Sequence, residues 1–154
     1  MDKREKYEVF LPQLRGLIDG TQEAVSVLAN VSAALHTEFG WFWTGFYLVR
    51  GDRLVLGPFQ GTPACYQIPF GKGVCGSAWQ RRETLVVPDV EEFPGHIACS
   101  SLSRSEIVVP VFDASGEVRA VLDIDSKELA TFDETDRIYL EQAMALLASA
   151  IYPV

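Results

Sequence analysis

Residues 105–126 read SEIVVPVFDASGEVRAVLDIDS, and this stretch decides the fold. Two apolar, β-branched runs, Glu106 to Phe112 and Glu117 to Asp125, flank the turn Asp113-Ala114-Ser115-Gly116, which is the pattern of a β-hairpin. Side chains alternate along a strand, so Glu106, Val108 and Pro110 share one face while Ile107, Val109 and Val111 share the other. On the second strand Val121, Asp123 and Asp125 share a face. A four-residue loop at 113–116 places Glu106 opposite Asp123, and a two-residue loop places it opposite Asp125. In both registers the acids Glu106, Asp123 and Asp125 point the same way. Carboxylates crowded among apolar neighbours repel one another and call for a cation, a metal or a shared proton. An ammonium group or Mg²⁺ suits such a face better than a phosphate or a carboxylate does. A solvated strand face would carry the same acids, but Val108, Pro110 and Val121 beside them argue against it.

Working outward, Trp41 to Arg50, the turn Gly51-Asp52 and Arg53 to Leu56 read as another hairpin. Trp43, Gly45 and Tyr47 share one face of its first strand, either as an aromatic wall with a small residue between or as ordinary sheet packing. Residues 57–73, rich in glycine and proline, read as a loop with a short strand at Tyr66 to Ile68. Val74 to Arg82 suits a short helix, Thr84 to Val87 a strand, and Pro88 to Ser103 a loop holding Cys99. At the N-terminus Tyr7, Phe10, Leu11, Leu14 and Ile18 recur at helical spacing, with Pro12 expected to break or kink the helix. A second helix is expected to start near Thr21, capped by its hydroxyl, with Glu23 in the first turn, Val25, Leu28, Val31 and Leu35 buried, and Gly40 as its stop. Asp133 or Thr135 can cap a last helix whose apolar positions are Ile138, Leu140, Ala143, Leu146, Leu147 and Ile151. Helices at both ends of a run of strands predict an α+β domain, with a central, mainly antiparallel sheet flanked by N- and C-terminal helices.

At 154 residues, with 48% hydrophobic, the chain is sized for a single domain, 1–154, with residues 1–20 as an N-terminal helical segment. A formal net charge of −8 repels polyphosphates and anionic lipid, so neither nucleic acid nor a membrane is an expected partner. No apolar run reaches the roughly 18 residues of a membrane helix, and Met1 to Lys6 is too polar to open a signal peptide. The expectation is a soluble, cytoplasmic protein. The N-terminal helix could support a homodimer.

Cys65, Cys75 and Cys99 are odd in number, which excludes complete pairing within one chain, and in a reducing compartment they start as thiols. Gly71-Lys72-Gly73-Val74-Cys75-Gly76 precedes a short helix, so its backbone amides could hold a carboxylate; it lacks the Gly-Lys-Ser/Thr ending of a nucleotide loop. Cys75 at that helix start could be acidified, and so could Cys99, three residues after His96, by a neighbouring cation; buried, inert thiols are the alternative. The cysteine spacing contains no C-x-x-C knuckle, and the pair His96 and Cys99 makes a poor zinc site. His36 reads as a helix-surface residue without a role.

Gly57-Pro58-Phe59-Gln60-Gly61, Gly73-Val74-Cys75-Gly76, Phe93-Pro94-Gly95-His96-Ile97-Ala98-Cys99, Ser105-Glu106-Ile107-Val108-Val109-Pro110 and Leu122-Asp123-Ile124-Asp125-Ser126 occur in that order. Together they resemble the free methionine-(R)-sulfoxide reductases, enzymes of the GAF fold, over roughly residues 20–150. The Leu-Asp-Ile-Asp-Ser strand is common to several GAF proteins; the three cysteines with the Phe-Pro-Gly-His segment are more discriminating. Ser100 departs from the acidic residue expected after Cys99. The resemblance implies Cys99 as nucleophile, Cys65 as its resolving partner and Cys75 as an alternative thiol in the exchange. It also implies Glu106, Asp123 and Asp125 as substrate-site carboxylates and Trp43 as a pocket for the methyl group. Tyr47 is expected beside Trp43, and the amides of Val74, Cys75 and Gly76 near the substrate's α-carboxylate. The implied oxidoreductase reduces the R sulfoxide of free methionine, an oxidative-stress repair. Cys99 attacks the sulfoxide sulfur, methionine leaves, a sulfenic acid forms, and Cys65 converts it to a redox-active disulfide. A dithiol protein, thioredoxin, recycles the disulfide by exchange. No metal or organic cofactor is implied.

A GAF module that senses a ligand, such as a cyclic nucleotide or a cysteine-linked chromophore, is the rival reading. Such modules regulate an attached output domain, for which 154 residues leave no room, and the acidic face repels phosphate. A redox-sensing interaction protein without turnover is the third.

Overall fold

The computed structural model describes residues 1–18, 20 and 23–153. Along the chain run α1 (Lys3–Ile18), α2 (Ala24–Phe39), β1 (Trp43–Arg50), β2 (Arg53–Gln60), β3 (Gln67–Pro69), α3 (Gly73–Arg81), β4 (Leu85–Val87), β5 (Ser105–Phe112), β6 (Val118–Ser126) and α4 (Glu134–Ile151). The strands form one six-stranded sheet in the order β3-β2-β1-β6-β5-β4, and every neighbouring pair is antiparallel. The α+β architecture expected from the sequence is the one observed.

The sheet divides two apolar layers. On one side α1, α2 and α4 pack Tyr7, Leu14, Leu28, Val31, Leu35, Leu140 and Leu147 against Phe46, Ile107, Val109, Leu122 and Ile124. On the other, α3 and its flanking loops pack Val74, Cys75 and Ala78 against Trp43, Tyr47, Val108 and Val121. Strand alternation does this sorting: odd positions of β5 between Ile107 and Val111 face the helices, and even positions face α3.

Several local expectations need correction. Helix α1 runs unbroken through Pro12, which lies on the exposed side, where water can satisfy the carbonyl that loses its donor. Val25 is 62% exposed and Ile138 43%, while Val27 and Met144 take the buried places. Ile138 stands two residues from Leu140, about half a turn round the helix. The expected cap at Thr21 lies outside the described residues; Gly40 ends α2 in the left-handed conformation at φ 69°. Strand β2 continues past Leu56 through Gly57-Pro58, because β3 pairs only with residues 53–55 and asks no donor of Pro58. His36 is half-buried, and its Nδ1 is buried without a hydrogen-bond partner.

Of the two caps offered for α4, Asp133 is the one used. Its carboxylate accepts from the Thr135 and Asp136 amides, and Asp136 Oδ2 accepts from the Asp133 amide at 2.9 Å. Asp136 is buried and also receives Lys3 Nζ at 2.7 Å and the Tyr7 hydroxyl at 2.6 Å, which ties α1 to α4. The apolar stripe of α1 is thereby spent inside the chain.

Candidate functional site

Register across the sheet builds the floor of the site. Asp125 pairs with Glu106 on β5 and Trp43 on β1, Asp123 with Val108 and Gly45, and Val121 with Pro110 and Tyr47. All of these side chains project toward α3. Of the two registers read from the sequence, the one with Glu106 opposite Asp125 is realised, through a bulge between Val111 and Phe112 rather than a two-residue turn.

Trp43 stacks on Phe59 with centroids 5.1 Å apart and lies 6.1 Å from Tyr47, forming an aromatic wall. Gly45 makes that wall possible: a Cβ there would collide with the Phe59 side chain and come within 2.9 Å of the Trp43 ring. Gly45→Ala is expected to lower stability by about 1–3 kcal/mol, read as a shift in denaturant midpoint with an unchanged slope. A neutral result would show that the wall can move aside.

The N-terminus of α3 forms the facing wall. Gly73, at φ 63°, begins it, and Val74 and Cys75 follow. The amides of these three residues open the helix and have no intrahelical acceptor. Gly76 does not share this role: its amide donates to Lys72 O at 3.0 Å, and the residue packs on the turn at Pro69 and Gly71.

Trp43, Tyr47, Val74, Cys75, Cys99, Glu106, Asp123 and Asp125 line one cavity, joined by His96 and Ile97 from the loop before Cys99. Its volume is about 40 Å³, enough to hold water. A disulfide links Cys65 to Cys99, with Cα atoms 5.4 Å apart across 34 residues of chain. Both cysteines are half-buried, so the bond is within reach of an external thiol. The loop bearing Cys65 is held by the aromatic wall, through Trp43 Nε1 donating to Thr62 O and the Tyr47 hydroxyl to Cys65 O, each at 2.9 Å.

Burial pushes Glu106 and Asp125 well above the usual carboxylate range, and Asp123 beside them adds to the rise. Asp123 is raised by burial as well, but hydrogen bonds from Glu106 and Cys75 and the nearby His96 work against that rise. Asp123 Oδ1 is buried with no hydrogen-bond partner. Cys75 corrects an expectation. Its thiol is pushed well up, first by burial and then by Asp123, Glu106 and Asp125, so the helix start does not acidify it. His96 is lowered by burial, with Asp123 opposing. Its place beside the acids follows from the fold of the 88–104 loop and has no periodic signal in the sequence.

The sequence model of the GAF domain family matches residues 21–151. The free methionine-R-sulfoxide reductase of Escherichia coli (strain K12) is 41% identical over 98% of this chain and 92% of its own length. This chain belongs to the free methionine-R-sulfoxide reductase family of GAF domains. Solved members of that family superpose closely. The Neisseria meningitidis enzyme in complex with its substrate has a TM-score of 0.95 at 53% identity, covering 97% of this chain and 90% of that one. The reduced form from Staphylococcus aureus has a TM-score of 0.91 at 43% identity and 94% coverage of each chain. Family membership accounts for the six-stranded antiparallel fold that these structures share. Among the described residues no helix is long and apolar enough to cross a membrane.

Proposed function

We propose that the chain, acting as one GAF-like domain, reduces free L-methionine-(R)-sulfoxide to methionine, with Cys99 as nucleophile and Cys65 as resolving thiol. The observation that carries this reading is the Cys65–Cys99 disulfide at a cavity floored by Glu106, Asp123 and Asp125. The Cys99 thiolate attacks the sulfoxide sulfur, and the oxygen passes to Cys99 as methionine leaves, so the cysteine becomes a sulfenic acid. Glu106 and Asp125, which hold their protons to unusually high pH, supply the proton that the departing oxygen needs. Cys65 then displaces water from the sulfenic acid and forms the disulfide. A thioredoxin-like dithiol reduces that bond and returns both thiols.

Asp123, the acid with competing stabilisation and an unpartnered oxygen, suits the substrate's α-ammonium. The amides of Gly73, Val74 and Cys75 suit its α-carboxylate. A peptide-bonded methionine has neither group free, which restricts the pocket to the free amino acid. The disulfide form is then the spent state, and reduction must return both thiols before the next sulfoxide reacts. Cys75, buried in the wall that faces the cavity floor, is the reserve thiol of the exchange.

The test supplies the purified protein with the R sulfoxide, the S sulfoxide and a dithiol. Methionine is expected from the R epimer alone; its absence would leave a redox sensor that cycles the same disulfide without turnover. Tyr47→Phe removes the hydroxyl that holds the Cys65 loop. A single such bond is worth about 0.5–1.5 kcal/mol, so disulfide formation should slow about 3- to 10-fold while the first equivalent of methionine appears at the wild-type rate. Quenched-flow sampling with thiol alkylation reads both steps; equal slowing of the two would place Tyr47 on the substrate instead.

A further inference from the structure

We propose that Cys75, Glu106 and Asp123 form a zinc-binding site, and that zinc bound there blocks the substrate pocket. The site was invisible to cysteine spacing because its ligands come from α3, β5 and β6, which only the fold brings together. One ligand atom from each residue lies within 4.8 Å of the others, and Cys75 Sγ stands 4.0 Å from Glu106 Oε2. The residues are 3%, 6% and 6% exposed, so they are not a solvated acidic patch. An independent observation points to a missing partner: Asp123 lines the cavity, and its Oδ1 is buried without a hydrogen-bond partner.

Zinc bonds thiolate sulfur at about 2.3 Å and carboxylate oxygen at about 2.0–2.2 Å, which spaces tetrahedral ligands about 3.3–3.8 Å apart. Side-chain movements of about 1 Å close the triad to that spacing. The cavity's 40 Å³ accommodates the ion and a water as fourth ligand. A thiolate among the ligands selects zinc over Mg²⁺ and Ca²⁺, which take all-oxygen shells. Two charges on the ion offset the mutual repulsion of thiolate and carboxylates. The same Asp123 oxygen cannot serve zinc and an ammonium together. The blocking half of the proposal therefore rests on the reductase reading, whereas the binding half does not.

The disulfide form gives a clean test, since Cys65 and Cys99 are tied up and Cys75 is the free thiol. Titration of the oxidised wild-type protein with CdCl₂ should develop a sulfur-to-cadmium charge-transfer band that saturates at one equivalent, and MgCl₂ should give none. ZnCl₂ should abolish the cadmium band, and Cys75→Ser should weaken zinc binding at least 100-fold against a chromophoric chelator. Absence of the band in the wild-type protein would overturn the site, whatever the variants do. For blocking, the double variant Cys65→Ser/Cys99→Ser, which keeps Cys75 as its one cysteine, should release zinc on addition of free methionine-(R)-sulfoxide. Retention of zinc at saturating sulfoxide would overturn the blocking while leaving the methionine-release assay to judge the reductase reading separately.

Discussion

Cys99→Ser is expected to release no methionine, not even the first equivalent, a loss of about four orders of magnitude or more, as removal of a nucleophile produces. A serine hydroxyl is scarcely ionised at neutral pH and attacks sulfur poorly, so the oxygen has no acceptor. Cys75 cannot stand in. It is the free thiol of the site, but burial and three neighbouring acids hold it protonated, and it sits in the wall opposite the cavity floor. Cys65→Ser separates the steps: it should release one equivalent of methionine at the wild-type rate and leave a sulfenic acid that dimedone traps, which persists until the slower, protonated Cys75 resolves it. A full first burst from Cys99→Ser would move the nucleophile elsewhere and, with it, the meaning of the disulfide.

Glu106→Gln should lower turnover about 10²- to 10⁴-fold, the usual yield of a positioned acid, and yet stabilise the fold at neutral pH. Glu106 holds its proton to higher pH in the folded chain than in the unfolded one, because burial and the neighbouring aspartates disfavour its charge. As pH rises past the ordinary carboxylate value of about 4, the unfolded chain gives up this proton first and is favoured. Stability linked to Glu106 is therefore present below that value and is lost as pH climbs toward the raised folded value. Glutamine removes the titration, so the melting temperature of the variant should exceed wild type from about pH 5 upward and the two should converge near pH 4. Each kcal/mol moves the midpoint by about 2–4 °C in a chain this long. Calorimetry across that range checks the sign. A variant less stable at every pH would make Glu106 a structural donor, and unchanged kinetics would remove it from the reaction.

This opposition of stability and activity has a simple origin. A face carrying Glu106, Asp123 and Asp125 among Val108, Pro110 and Val121 is a poor way to fill a core, and a cationic ligand is what relieves it. The fold tolerates the arrangement because the helical layer on the other side of the sheet is wholly apolar across Ile107, Val109, Leu122 and Ile124.

Period alone determined a good part of this. Alternation along 105–126 assigned the acids to one face before any register was known, since a shift of one pairing changes which acids are opposite but not which way they point. Helical spacing found α1, α2 and α4, and Gly40 and Asp133 marked a stop and a start because their backbone and side-chain chemistry is local. The ordered motifs around the cysteines identified the family. Tertiary structure decided what no local rule contains. Whether Cys75 is a reactive or a silent thiol depends on how deeply α3 packs it against the sheet acids, and burial outweighed the helix start. The burial of Val27 rather than Val25, and the continuation of β2 through Pro58, were set by which neighbours lie alongside. The meeting of Cys65 and Cys99, and of Cys75, Glu106 and Asp123, joins segments far apart in the chain. Proximity of that kind is a property of the packed sheet and its loops, and periodicity along the chain carries no record of it.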